Sequence, residues 1–166
     1  MMRVGVQEAP SNRRGGASAV VATGLGRPLW TFAVGELLCG VPIADVREIV
    51  LWRRGTRVPL APKVVEGLIN LRDHIVMVID LRCRLGLPER SLKAADPTLV
   101  VVQSDQGASS LLVDEIGEIV AVPAGDFESP SETLRSAAVD LIDGAYKLEK
   151  ELLLVLDVEK TLNIGS

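Results

Sequence analysis

The sequence predicts an all-β protein made of two small barrels. Three observations lead there. First, 48 % of the 166 residues are hydrophobic but only 3 % are aromatic, so Val, Leu and Ile must build the core. Branched residues of this kind suit strands with a buried face. Second, short apolar runs recur at close spacing with turn residues between them, and no long helical period appears. Third, roughly ten strands can be counted this way, too many for one small barrel and suited to two of about five.

The elements follow in order. Residues 1–27 are rich in Gly, Ala, Ser and Arg and lack periodicity, which predicts a flexible basic tail. Order is expected from Pro28 or Leu29. "LWTFAV" and "LLCGVPI" flank Gly35-Glu36, a hairpin signal. In "ADVREIVLW", Ala44, Val46 and Ile49 leave Asp45, Arg47 and Glu48 for another face, which predicts a short helical turn. "RRGTRVPLAPKV" is a loop in which Pro62 is placed to open a further turn. "VEGLINLR" and "IVMVIDL" read as strands around a two-residue turn at Asp73-His74, leaving Arg72 as the last residue before the turn. "LRCRLGLP" reads as a helical turn ended by Gly86 and Pro88. "TLVVVQS" and "ASSLLVD" flank Asp105-Gln106-Gly107, and "IGEIVAV" follows. After the loop "PAGDFESPSE", "LIDGAYKL" and "LLLVLD" flank Glu149-Lys150, and "DVEKTLNI" closes the chain as a short helix.

Composition narrows the function. The net charge is −4, with residues 1–27 carrying +3 and the remainder therefore −7. A domain this acidic has no electrostatic footprint for nucleic acid. Cys39 and Cys83 form no CxxC pair and read as buried free thiols in a reducing compartment. No apolar run approaches the roughly 18 residues of a membrane span, and the start lacks the apolar region of a signal peptide. The expectation is a cytoplasmic protein without membrane insertion.

Candidate chemistry is sparse. His74 is the lone histidine, and no matching constellation accompanies it; a solvated turn histidine is the simpler reading. Asp80, Asp114 and Asp157 each end an apolar run. Three such carboxylates would suit a metal site, but Asp80 and Asp157 each precede a helical turn and read as caps. Asp114 is open between the two. No GxGxxG, P-loop or GxSxG is present. Arg47, Arg53, Arg54 and Arg57 form a modest basic cluster, read as a solvated face or a partner contact. Val46, Ile49, an exposed-looking Trp52 and Leu60 between prolines suit either core or interface. Catalytic residues, metal ligands and cofactors are therefore not expected.

The run "EGLINLRDHIVMVIDLRCRLGLP" resembles the CheW-like domain family. Gly67, Asn70, Leu71, Arg72, Val78, Ile79, Asp80, Leu81 and Arg82 match its G-x-x-N-L-R-G turn and V-P-V-I-D-L-R strand. "GVPIADVREIV", "RVPLAPKVVEG", "LLVDEIGEIVAV" and "GAYKLEKELLLVLDVEKTL" extend the likeness over about residues 29 to 164. The resemblance implies a CheW-like domain over 28–166, folded as two intertwined five-stranded SH3-like barrels with short helical turns. It implies no catalysis and no cofactor. It implies an adaptor between methyl-accepting chemoreceptors and the histidine kinase CheA, bound through the kinase's own CheW-like regulatory domain, and recruited thereby to membrane-bound arrays.

The resemblance places Arg72 on the receptor-contacting surface, with Val46 and Glu48 as further candidates and Gly67 supporting the same edge. Kinase contact is expected on apolar edge strands and is not assigned to residues. An ion pair of Arg72 with Asp73 or Glu48 is the alternative reading of the arginine. Three departures stand out: Asp73 replaces the family's glycine, Met77 its proline, and Glu149-Lys150-Glu151 its last turn. Asp73 sets a negative charge beside Arg72. These departures suit a divergent regulator or competitor in a pilus, surface-motility or other non-flagellar pathway as a second reading.

Overall fold

The computed structural model describes residues 26–52, 55–90, 96–123, 127–128 and 139–164. The expected tail, apart from its last two residues, lies outside these, as do Arg53 and Arg54 of the basic cluster and most of the loop after Val122.

Among the described residues, eleven strands form two sheets. β1 (Arg27–Val34) and β2 (Leu37–Pro42) make the first hairpin. A 3-10 turn at Ile43–Asp45 leads to β3 (Val46–Leu51). β4 (Val65–Leu71) and β5 (His74–Asp80) make the second hairpin, followed by the one-turn helix α1 (Leu81–Arg84). β6 (Thr98–Ser104), β7 (Gly107–Val113) and β8 (Glu115–Val122) come next. The two-residue β9 (Phe127–Glu128), β10 (Ile142–Lys147), β11 (Leu152–Leu156) and helix α2 (Val158–Leu162) complete the chain.

Sheet A runs β8-β1-β2-β11-β10-β9 and sheet B runs β3-β6-β7-β5-β4. The chain begins in sheet A, builds all of sheet B and then returns to sheet A, so the two units are intertwined as the resemblance implied. Each sheet holds one parallel pair, β2 with β11 and β5 with β7, and its other pairs are antiparallel.

Burial explains the apolar composition. Phe32, Val34, Cys39 and Val41 of sheet A pack in one cluster with Ile79, Val100, Val102, Leu111 and Val113 of sheet B. A second cluster groups Leu29, Val120, Leu153 and Val155 in sheet A, and a third groups Val78, Leu99 and Leu112 in sheet B. Central strands therefore bury both faces. That is why "TLVVVQS" and "LLLVL" read as continuous runs rather than as alternation.

Five expectations need correction. The helical turn predicted over 44–52 is confined to Ile43–Asp45, and Val46–Leu51 is a strand paired antiparallel with β6. Its alternation is hidden because the register shifts between Val46 and Glu48, a bulge at Arg47. The β4–β5 turn is Arg72-Asp73, not Asp73-His74: Leu71 pairs with His74, so Arg72 lies inside the turn. Gly107 opens β7, leaving a two-residue turn at Asp105-Gln106. A short strand, β9, lies inside the segment expected to be all loop. Of the two thiols, Cys39 is buried and Cys83 only half-buried. Burial pushes the Cys39 thiol up to about 12, which keeps it inert.

Candidate functional site

The site is built on the β4–β5 hairpin and the facing strand β3. Arg72 and Asp73 occupy the two turn positions with φ of 51° and 72°. Two successive positive φ angles are what a two-residue turn needs to match strand twist. Neither residue is glycine, so the turn needs outside help. Asn70 supplies it by accepting a hydrogen bond from the Asp73 N–H at 3.1 Å. An Asn side chain holding the backbone a few residues on is a recognised turn device. This gives the Asn-Leu-Arg run a mechanical meaning that spacing alone did not reveal.

From this turn the Arg72 side chain reaches Glu48 on β3 at 3.1 Å, with the arginine 80 % and the glutamate 20 % exposed. The pair spans from one edge strand of sheet B to the hairpin that carries the other. Of the two intramolecular partners considered for Arg72, Glu48 is the one it meets. An exposed pair of this kind contributes only about 0–1 kcal/mol. Most of the guanidinium's donor fork faces outward, while Glu48 fixes its direction.

Val46 and Gly67 play different parts. Val46 is half-buried and packs against the inter-sheet core. Gly67 is buried, and a Cβ there would lie 2.6 Å from the Thr56 carbonyl oxygen. Its bare backbone lets the segment after β3 cross β4. Thr56 and Leu68 exchange backbone hydrogen bonds of 2.9 and 2.8 Å at that crossing. Gly67 therefore shapes the edge without presenting a side chain. The β4 register shifts between Val65 and Gly67, so both edge strands carry a bulge beside a candidate residue.

The apolar candidates divide. Ile49 packs on the inter-sheet core and Trp52 on the cluster of Val78, Leu99 and Leu112, so Trp52 is less exposed than expected. Leu60 is fully exposed with φ of 65°, and Ile75, next to His74 on β5, is also exposed.

The aspartates do structural work. Asp80 accepts from the Arg82 and Cys83 N–H groups and caps α1, while Asp157 accepts from Lys160 N–H and caps α2. Asp114, open at first, lies between β7 and β8 and takes Arg82, Arg90 and the Gly35 N–H. Burial alone would push its carboxyl up. The Arg82 and Gly35 hydrogen bonds, with the charges of Arg90 and Arg82, outweigh this and hold it below the usual carboxylate range. His74 is an exposed residue at the start of β5. Among the described residues no group of three or more His, Cys, Asp or Glu could hold a metal ion. Among them, too, no helix is long and apolar enough to cross a membrane.

A β-rich module with bulged edge strands, an outward arginine on a fixed turn and carboxylates engaged in capping and ion pairs has the makings of an interaction domain. Residues 28–165 match the CheW-like domain. The chain is 33 % identical over 135 residues to the chemotaxis protein CheW of Treponema pallidum, covering 80 % of this chain and 79 % of that one. It is 31 % identical over 138 residues to the chemotaxis protein CheW of Rhizobium meliloti, covering 81 % and 86 %. The crystal structure of the scaffolding protein TtCheW from Thermoanaerobacter tengcongensis superimposes with a TM-score of 0.76 at 25 % identity, over 85 % of this chain and 90 % of that one. The chain belongs to the CheW-like domain family, and its two-sheet β architecture is that of the family.

Proposed function

We propose that the protein is a non-enzymatic, cytoplasmic adaptor that couples methyl-accepting chemoreceptors to the histidine kinase CheA in a chemosensory two-component pathway. The observation that carries this reading is Arg72. It stands 80 % exposed at the tip of the β4–β5 hairpin, aimed by Glu48, at the position of the family's Asn-Leu-Arg motif. A planar guanidinium fork suits the carboxylates and helix-terminal carbonyls of a receptor tip. Val46 and Glu48 form the adjoining edge, and Gly67 keeps that edge in shape. Kinase contact belongs on apolar edge strands. Weak individual contacts are multiplied where many copies assemble on one array.

A titration of the purified full chain against the CheA regulatory domain and, separately, against a receptor cytoplasmic fragment tests this. Binding to both at tens of micromolar or tighter is expected, an affinity of about −6 kcal/mol or better. Failure to bind either contradicts the adaptor role. Asp73 at the second turn position favours a second reading, a competitor that occupies these sites in a pilus or surface-motility pathway. Its negative charge beside Arg72 weakens attraction to an acidic partner. A competitor lowers kinase activity on titration, whereas a coupler raises it.

A further inference from the structure

Beyond this contact edge, a pair of arginines on α1 joins segments that are distant in the chain. Arg82 and Arg84 lie two residues apart on a helix that follows β5 of sheet B; Arg82 ends on the β7–β8 link into sheet A, and Arg84 on α2, which follows β11 of sheet A and is bonded through Glu159 to the β6–β7 turn of sheet B. Arg82 donates from Nε and Nη2 to the Asp114 carboxylate at 3.1 to 3.2 Å, and from Nη1 to the Pro88 carbonyl at 2.6 Å. Asp114 is the link between β7 and β8, where the chain leaves sheet B for sheet A. Its other bonds point into sheet A. Its N–H donates to the Ala33 carbonyl on β1 at 3.0 Å, and its carboxylate accepts from the Gly35 N–H in the β1–β2 turn at 2.6 Å. Arg90 also pairs with this carboxylate.

Arg84 makes the second tie. Its Nε donates to the Thr161 carbonyl at 3.0 Å, and its Nη2 donates to Lys160 and Asn163 carbonyls at 2.8 and 3.0 Å. These are the last carbonyls of α2, the helix that follows β11 of sheet A. The guanidinium thus binds the carbonyl end of α2, where the Lys160 carbonyl also accepts from the Asn163 N–H at 3.2 Å, and joins that end to α1.

The apolar cluster between the sheets supplies adhesion, and the apolar driving force is itself non-directional. Planar, charge-assisted donor forks with several acceptors each do have direction. We propose that Arg82 and Arg84 are positioning residues that hold the two sheets in one relative orientation, so that occupancy of a partner surface on one sheet is transmitted to the other. The transmission rests on the adaptor reading above; the orientation does not.

The test is solution measurement of amide residual dipolar couplings on the full chain. In the parent protein, couplings from β1, β2, β8, β10 and β11 and those from β3 to β7 are expected to fit one alignment tensor. The Arg82→Lys/Arg84→Lys double variant keeps both charges but loses the forks. It is expected to retain amide dispersion and to require two different tensors. Should that variant fail to fold, Asp114→Asn, which keeps shape and removes the acceptor charge, is scored in the same way. A single tensor for a folded variant whose thermal midpoint has merely fallen would overturn the proposal and leave the arginines as stabilising contacts.

The functional arm uses the same variant. Affinity for the isolated receptor fragment and for the isolated kinase domain is expected to stay within about twofold, as for surfaces remote from the change, while receptor control of kinase activity is lost. Retained control overturns the transmission claim. Absence of binding by the parent protein would instead tell against the adaptor reading and leave the orientation result standing.

Discussion

Gly67→Ala separates two roles that one residue can have in a contact edge. The added Cβ would lie 2.6 Å from the Thr56 carbonyl oxygen and 3.2 Å from its carbon, both backbone atoms that cannot rotate away. Relief requires the segment after β3 to move off β4, which breaks the two hydrogen bonds between Thr56 and Leu68. Overpacking of this kind costs about 1–3 kcal/mol, and each hydrogen bond lost contributes about 0.5–1.5 kcal/mol more where the groups are not fully resolvated. With the freed groups partly resolvated, a net loss of about 2–4 kcal/mol is expected. For a chain of this size that lowers the thermal midpoint by roughly 5–15 °C. Trp52 reports the event, since it packs against the sheet B cluster just before the displaced segment. Urea and thermal unfolding followed by tryptophan fluorescence, read beside receptor-fragment binding, give the answer. Loss of stability together with loss of binding is the expected pattern. Parental stability with binding abolished would refute the argument, because Gly67 would then act as a direct contact and not as the shaper of the edge.

Arg72→Ala removes an exposed ion pair worth about 0–1 kcal/mol, so unfolding should shift by no more than that while receptor-fragment binding falls; a large stability loss with normal binding would assign Arg72 to the fold alone. Asp73→Gly relieves a positive φ of 72° and should stabilise the protein by about 0.5 kcal/mol, the strain released less the entropy of glycine; denaturant midpoints check it, and destabilisation would contradict the turn assignment. Asp114 has a folded pKa below its unfolded value. Its contribution is therefore fully present above about pH 4, near the unfolded value, and is lost as pH falls through the folded value. The stability difference between the parent and Asp114→Asn should accordingly stay constant at neutral pH and close on acidification, and a gap that widens below pH 4 would reverse the assigned sign.

Local chemistry made some of this architecture readable in the sequence. Gly35-Glu36 marks its hairpin because glycine reaches φ of 62° without strain. Asp80 and Asp157 announce their caps by standing between an apolar strand and a short helix. β3 misled because the bulge at Arg47 breaks its two-residue period and leaves Val46 and Ile49 at helical spacing. The β4–β5 turn was displaced by one residue because no glycine marks its frame; Asn70 holds it through a side chain instead. Asp114 was ambiguous for a different reason. Its main partners lie 32, 24 and 79 positions away in the chain, beyond the reach of any local pattern. Arg72 was legible as a candidate through its motif, but its pairing with Glu48 depends on how sheet B brings β3 to the hairpin tip.

The adaptor role is tested most directly by reconstituting receptor arrays with CheA and titrating in this protein while kinase autophosphorylation is followed. Activity is expected to rise with added protein and come under receptor control, and to do neither when Arg72→Ala replaces the parent. A fall in activity with rising protein would contradict the adaptor role and identify a competitor. An unchanged rate would show that the fold serves a different partner.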